Sequence, residues 1–74
     1  VSYTLPHRVD VSMKIYDIAG REIAQIARGE QQAGNHQVQW NGIDGSGNAV
    51  STGVYFCRLE AGEISQTIKM VYLK

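Results

Sequence analysis

The sequence predicts an all-β fold, an immunoglobulin-like (fibronectin type III-like) antiparallel β-sandwich of six or seven strands. Val, Ile and Thr together supply 17 of the 74 residues and Leu supplies only 3. Side chains branched at Cβ favour strands over helices. Runs with a period of two recur about every 8 to 12 residues between turn-forming segments, which is typical of two antiparallel sheets packed face to face.

The first half of the chain contains the clearest strand. From Val9 to Ile15 every second residue is apolar, and the alternation runs to Tyr16, which places the apolar set on one face. Residues 17–20 predict a turn, because Asp17 can bond the backbone ahead of it and Gly20 can adopt a positive φ. The other segments predicted in this half are a short strand at 2–5 before Pro6, a strand at 21–27, a polar link at 28–34 and a strand at 36–40.

The second half predicts a long loop and a hairpin. Residues 41–48 contain three glycines among Asn and Asp residues, a composition typical of an exposed loop. Residues 53–61 and 64–73 form two strands joined by a tight turn at Gly62. By phase we expect Trp40, Tyr72 and Cys57 on core faces, whereas Tyr16 is the aromatic ring expected to be exposed.

Length and charge exclude several classes of function. A chain of 74 residues forms one small domain at most, and a deep substrate cleft would compete with its core for apolar residues, so we expect no enzyme. Seven basic and seven acidic residues balance each other, which argues against a nucleic-acid interface. The unbroken apolar runs reach four residues, as at Val54–Cys57, too few for a membrane span.

No cofactor or metal is predicted. Cys57 is the single cysteine, which rules out an internal disulfide and a cysteine-rich zinc site. Asp44, Ser46 and Asn48 have the alternate spacing of a calcium loop, but the glycine and glutamate that complete an EF-hand are missing at the corresponding positions. We therefore interpret them as loop residues.

Five short motifs occur in order along the chain. They are Ile15-Tyr16-Asp17-x-x-Gly20-Arg21-x-Ile23, Ala33-Gly34-x-His36, Trp40-Asn41-Gly42-x-Asp44-x-x-Gly47, Gly53-Val54-Tyr55-Phe56-x-Arg58-Leu59 and Lys69-Met70-Val71-x-Leu73-Lys74. Over essentially the whole chain, this order resembles the type A C-terminal sorting domains of the type IX secretion system. It equally resembles the Ig-like domain of flagellar hook-capping proteins. Asn41 stands where Asp often precedes the glycine, and either residue can cap the loop.

The sorting-domain resemblance implies a non-catalytic C-terminal domain that directs a secreted bacterial protein through the periplasm and outer membrane to the cell surface. Its expected partners are the outer-membrane secretion and attachment machinery and N-terminal cargo domains of the same chain, and no nucleic acid. By matching positions, the candidate recognition residues are Gly53, Val54, Tyr55, Lys69 and Lys74. The turn and loop positions of the pattern are Asp17, Gly20, Asn41, Gly42, Asp44 and Gly47. An unpaired edge of the hairpin would let a partner strand add to the sheet.

Two alternatives stay open. One is a structural assembly module of the hook-cap Ig type, and the other is an accessory carbohydrate-binding domain of a secreted hydrolase, in which Tyr16 would stack on sugar rings. Because the sequence begins with Val1 rather than Met and lacks a signal-peptide pattern, we expect residues 1–74 to be a piece of a larger protein. The sorting-domain resemblance implies that this piece is its C-terminal domain.

Overall fold

A computed structural model describes all residues from Val1 to Lys74, and its regular structure consists of β-strands. The six strands are β1 (Ser2–Leu5), β2 (Val9–Tyr16), β3 (Glu22–Gln31), β4 (Gly34–Gln37), β5 (Gly53–Ala61) and β6 (Ile64–Tyr72). No helix is present that is long and apolar enough to cross a membrane.

The strands form two antiparallel sheets. One has four strands in the order β3-β2-β5-β6, and the other is the pair β1-β4. The buried side chains between them come from both sheets and from the loop before β5. They are Tyr3, Leu5, Val11, Met13, Ile15, Ala24, Val50, Tyr55, Cys57, Leu59 and Ala61. The predicted all-β sandwich of six or seven strands is therefore confirmed, with six strands.

The clearest alternations of apolar and polar residues lie in β2 and β5, the two central strands of the four-stranded sheet. In β2 the residues Val11, Met13 and Ile15 are buried, and the residues between them are half-buried. In β5 the alternate residues from Tyr55 to Ala61 are buried in the same way. Since directly opposed residues lie on one face of an antiparallel pair, the pairing of Met13 with Leu59 puts both sets in the same core.

Strand β3 is longer than the sequence pattern indicates. Residues 28–34 were expected to be a polar link, but β3 continues to Gln31 because it pairs with the start of β2, as far as Val9. β3 lies at the edge of the sheet, where polar side chains remain solvated, so the polarity of this segment does not exclude a strand. Gly29 lies inside the strand with φ of 112°, a conformation that residues with a side chain rarely adopt.

Strand β4 ends earlier than expected, and Trp40 lies beyond it. The predicted strand at 36–40 is wrong at its end: β4 stops at Gln37, and residues 38–52 form a long irregular segment with one isolated bridge between Ile43 and Ala49. The expectation that Trp40 packs on the core is nevertheless confirmed. The indole is half-buried, and its Nε1–H donates to the carbonyl of Ile43 at 3.0 Å.

The hairpin of β5 and β6 matches the prediction, apart from β6 ending at Tyr72 rather than at residue 73. Its nine residue pairs run without a register shift from Gly53–Tyr72 to Ala61–Ile64. Tyr16 lies on the outer face as expected, but it is half-buried rather than exposed, because it stands directly opposite Phe56 of β5.

Candidate functional site

Two turns of this molecule have the same hydrogen-bond pattern. They begin at Asp17 and at Asp44, and each ends with a glycine three residues later, Gly20 or Gly47, whose φ is 86° or 87°. In both turns the glycine N–H donates to the aspartate carbonyl at 3.0 Å. The aspartate Oδ1 accepts backbone N–H groups from the second and fourth residues after it, at 3.0 and 2.9 Å in the first turn and at 2.9 Å for both in the second.

These bonds explain the spacing of Asp44, Ser46 and Asn48. The carboxylate of Asp44 accepts the backbone N–H groups of the other two residues, which is the usual way in which an aspartate closes a turn on itself. The predicted loop role of these residues is what the geometry supports.

The turn at Asp17 differs from its counterpart by a cation at its last position. The backbone N–H of Arg21 donates to Asp17 and is the largest cause that lowers the pKa of this carboxyl. The Arg21 guanidinium adds a bond from Nε to Oδ2 at 3.0 Å, and the N–H of Ala19 contributes further, while desolvation opposes the shift. The ionised carboxylate therefore holds together the turn between β2 and β3.

The loop that contains Asn41 and Gly42 is attached to the last strand. Gly42 is buried with φ of 75°, and its carbonyl accepts the N–H of Val50 at 2.9 Å. A side-chain Cβ at Gly42 would overlap the ring of Tyr72, whose hydroxyl donates to the carbonyl of Asn41 at 3.4 Å. The glycine is required here both by its φ and by the close approach of β6.

Three aromatic rings form a packed cluster next to this loop. The Trp40 ring lies 5.1 Å from the Tyr55 ring at 68° and 5.5 Å from the Tyr72 ring at 49°, arrangements that aromatic pairs favour in cores. Tyr55 is buried, and its hydroxyl donates to the carbonyl of Ser51 at 2.7 Å. These rings hold the loop on the sheet, and with Tyr16 half-buried the chain offers no row of exposed rings for sugar stacking.

The candidate recognition residues come together at one end of the β5–β6 hairpin. Gly53, Val54 and Tyr55 pair with Tyr72, Val71 and Met70, and the next pair joins Phe56 to Lys69. The backbone N–H of Lys74 donates to Thr52 just before β5, at 3.1 Å. Lys69 and Lys74 are exposed, whereas the Tyr55 ring lies in the core. Recognition by secretion machinery at these residues stays a prediction.

The remaining reactive groups do not form a site. Cys57 is fully buried, and burial raises the pKa of its thiol, which makes it unreactive. The two histidines lie apart: His7 Nδ1 meets the carbonyl of Arg8 at 3.2 Å, and His36 stacks on Tyr3 at 5.3 Å. The largest hollow, of about 470 Å³, is lined by Asp10, Val11, Ser12, Arg28, Gly29, Glu60 and Gly62.

The four-stranded sheet ends on one side at β3, and this edge is covered and irregular. The pairing of β2 with β3 skips Ile23 and Ile26, so the ladder has two register shifts. The carbonyl of Ile23 accepts the N–H of Gly45 at 2.8 Å, which places the turn at Asp44 against this edge. Bulges and a covering loop are both means by which proteins protect an edge strand.

The opposite edge of this sheet is β6, which has neither feature. All nine of its residues pair one to one with β5, and no backbone hydrogen bond outside the strand ladders involves them. Lys69 is its single charged residue. Regular pairing on one side leaves a row of unpaired backbone groups on the other, which is a template for a further strand.

Sequence reasoning did not identify the exposed apolar surface of this edge. Tyr72 was expected on a core face, and Ile64, Ile68 and Met70 share its phase. Ile64 is 50% exposed, whereas the other three are half-buried and pack against the core. Their phase was correct, but period alone does not show that a strand lies at the edge of a sheet. On the outer face, Val71 is 63% exposed.

The sequence resembles two families, and the comparisons with known proteins agree with one of them. Residues 1–64 match the family model described as the FlgD Ig-like domain, a range that holds β1 to β5 and reaches the first residue of β6. No curated protein and no solved structure gives a significant match. The match supports the hook-capping resemblance, and nothing in the comparisons supports the type IX sorting domain. The fold is an Ig-like sandwich of a structural family and is not catalytic in kind. The chain belongs to the FlgD Ig-like domain family.

Proposed function

We propose that this chain is a structural assembly module of the kind found in flagellar hook-capping proteins. The observation that carries the proposal is the family match over residues 1–64. Such a module acts by occupying a fixed position in a protein assembly, so it needs a stable fold and a surface for a neighbour, and it needs no catalytic site.

The two edges of the four-stranded sheet, β3 and β6, support this role. The turn at Asp44 and the ring of Trp40 hold the loop on the sandwich through hydrogen bonds and aromatic contacts. That arrangement leaves β6 free along its outer edge. The loop is thus fixed to the sheet by these contacts, and the outer edge of β6 can accept a neighbouring strand.

A domain replacement in a flagellated bacterium tests the proposal. The Ig-like domain of the hook-capping protein is replaced by residues 1–74, and hook length and swimming are measured. We expect the chimera to recover hook assembly relative to the domain deletion, while the same chimera with Trp40→Ala does not. A chimera that is produced and folded, yet assembles no more hooks than the deletion, would contradict the assembly role.

The sorting role expected from the sequence stays a second hypothesis, which the comparisons do not support. It predicts that a reporter fused in front of residues 1–74 crosses the outer membrane of a host with type IX secretion. A matched fusion with Lys69→Ala and Lys74→Ala would lose export if the exposed lysines of the hairpin end are read. Retention of the reporter in the periplasm would reject sorting and leave the assembly proposal intact.

A further inference from the structure

The dipeptide Asn41-Gly42 combines the two residue types that favour spontaneous deamidation. Asparagine is one of the thermolabile residues of proteins, because the backbone nitrogen of the following residue can attack its side-chain amide carbon. A glycine in the following position has no side chain to obstruct this attack. The chain contains three asparagines, and Asn35 and Asn48 precede residues that carry side chains. Asn41 is therefore the asparagine with the least hindered neighbour.

Both reacting groups of this dipeptide are free of hydrogen bonds. Asn41 is exposed and lies in the irregular segment between β4 and β5. Its carbonyl accepts the hydroxyl of Tyr72, but its side-chain amide forms no hydrogen bond. The N–H of Gly42 has no acceptor, although the carbonyl of the same residue accepts the N–H of Val50. No hydrogen bond would have to break before the nitrogen meets the amide carbon.

A second dipeptide of this kind, Asp44-Gly45, is held at both reacting groups. An aspartate can form the same cyclic imide with loss of water. The Asp44 carboxylate accepts the backbone N–H groups of Ser46 and Asn48 at 2.9 Å. The N–H of Gly45 donates to the carbonyl of Ile23 at 2.8 Å. Reaction at Asp44 would have to break these bonds first, so we expect this dipeptide to be protected.

We propose that Asn41 deamidates spontaneously through attack by the nitrogen of Gly42. A bond forms between this nitrogen and the amide carbon of Asn41, the bond from that carbon to the amide nitrogen breaks, and ammonia leaves with the proton of the Gly42 N–H. Water then opens the cyclic imide at either carbonyl, which gives aspartate or isoaspartate. Because Tyr72 packs over Gly42, ring closure requires the loop to move, and we expect a slow reaction.

The isoaspartate product would change the path of the loop. Its main chain runs through the side chain of residue 41 and is therefore longer by one methylene group before Gly42. Two hydrogen bonds depend on the backbone here: Trp40 Nε1–H donates to the carbonyl of Ile43, and the Tyr72 hydroxyl donates to the carbonyl of Asn41. We expect both bonds to be lost, so that isoaspartate releases this part of the loop from β6.

Mass spectrometry of the aged protein tests the site. The folded 74-residue chain is kept for weeks at physiological temperature and mildly alkaline pH, and its peptides are analysed. We expect conversion of Asn41 to isoaspartate and aspartate, while Asn35 and Asn48 keep their amides and Asp44 forms no isoaspartate. The control Asn41→Gln should stay unchanged, because its longer side chain would have to close a larger ring. An intact amide at Asn41, or equal conversion of all three asparagines, overturns the proposal.

The fluorescence of Trp40, the single tryptophan of the chain, tests release of the loop. A chain synthesised with isoaspartate at residue 41 is compared with Asn41→Asp, which has the same charge and an ordinary backbone. We expect the emission of the isoaspartate chain to shift to longer wavelength, because its half-buried indole becomes solvated, while circular dichroism still shows the strands. Equal emission from the two chains, or loss of the strands in the isoaspartate chain, overturns the local release.

Discussion

The two edges of the four-stranded sheet are built in opposite ways. Strand β3 carries three charged residues, skips two residues in its pairing with β2, and is covered at Ile23 by the N–H of Gly45. Strand β6 carries one charged residue and pairs without interruption. Only one edge of the sheet is thus protected against strand addition.

The two edges contribute differently: contacts at β3 stabilise the fold, whereas β6 offers a surface for interaction. The features that close β3 are the same ones that fix the loop of residues 41–48, because the turn at Asp44 provides the covering N–H group. The loop contacts β6 at the end of the strand, where Tyr72 meets Trp40 and Asn41. In the middle of β6, Ile68 and Met70 pack against the core and the backbone pairs with β5, while the outer backbone edge has no strand beside it.

Loss of the Trp40 ring should have the largest effect on the β6 anchor. Trp40→Ala removes the contacts with Tyr55 and Tyr72 and the bond to Ile43. We expect a loss of about 3 kcal/mol in the free energy of unfolding, most of the stability of a domain this small. Thermal unfolding followed by circular dichroism measures it. The control Trp40→Phe keeps a ring and should lose about 1 kcal/mol, and an unchanged midpoint for Trp40→Ala would contradict the anchoring role.

A substitution at Gly42 tests the contact between the loop and β6. Gly42→Ala puts a Cβ into the ring of Tyr72 at a residue with φ of 75°, and we expect a cost of about 2 kcal/mol. Gly45→Ala is the matched control, since its Cβ would meet only the carbonyl oxygen of Ile23 at the ordinary distance of 3.6 Å. Chemical denaturation of both variants measures the difference. Equal stability would show that β6 does not constrain the loop.

Removal of the Asp44 carboxylate should open the protected edge. Asp44→Ala leaves two backbone N–H groups without their acceptor, at a cost of about 1 kcal/mol by analogy with other caps. The amide of Gly45, which bonds Ile23, should then exchange its hydrogen faster. Ser46→Ala keeps every one of these bonds and serves as the control. Unchanged exchange at Gly45 would mean that the turn does not cover β3.

The turn at Asp17 predicts a pH dependence. Hydrogen bonds from Arg21 lower the pKa of Asp17 in the folded state, so its contribution to stability is complete above the ordinary carboxyl pKa of about 3.9 and is lost as pH falls through the lower folded value. Asp17→Asn should therefore flatten the acid limb of the melting temperature. Arg21→Gln keeps the backbone N–H, the largest cause, and should retain part of the slope. An acid limb identical to that of the unchanged chain for Asp17→Asn would contradict this assignment.

Much of the fold could be predicted because its strongest signals are local. The alternation of Val11, Met13 and Ile15 specifies β2 without any long-range information, and the turn at Gly62 delimits the β5–β6 hairpin. The length of β3 could not be predicted, because its polar end is a strand only through pairing with β2. The open edge was likewise hidden: Ile68 has the phase of a core residue, and only the strand order reveals that nothing lies beyond it.

Hydrogen exchange compared at the two edges tests the central claim that β3 is a covered edge of the sheet and β6 an open one. The exchange rates of individual amides are measured by NMR on the 74-residue chain. The account predicts that the amide of Gly45, which bonds Ile23 of β3, is protected, whereas the β6 amides not bonded to β5 exchange as fast as free amides. Protection of these β6 amides, or free exchange at Gly45, would contradict it.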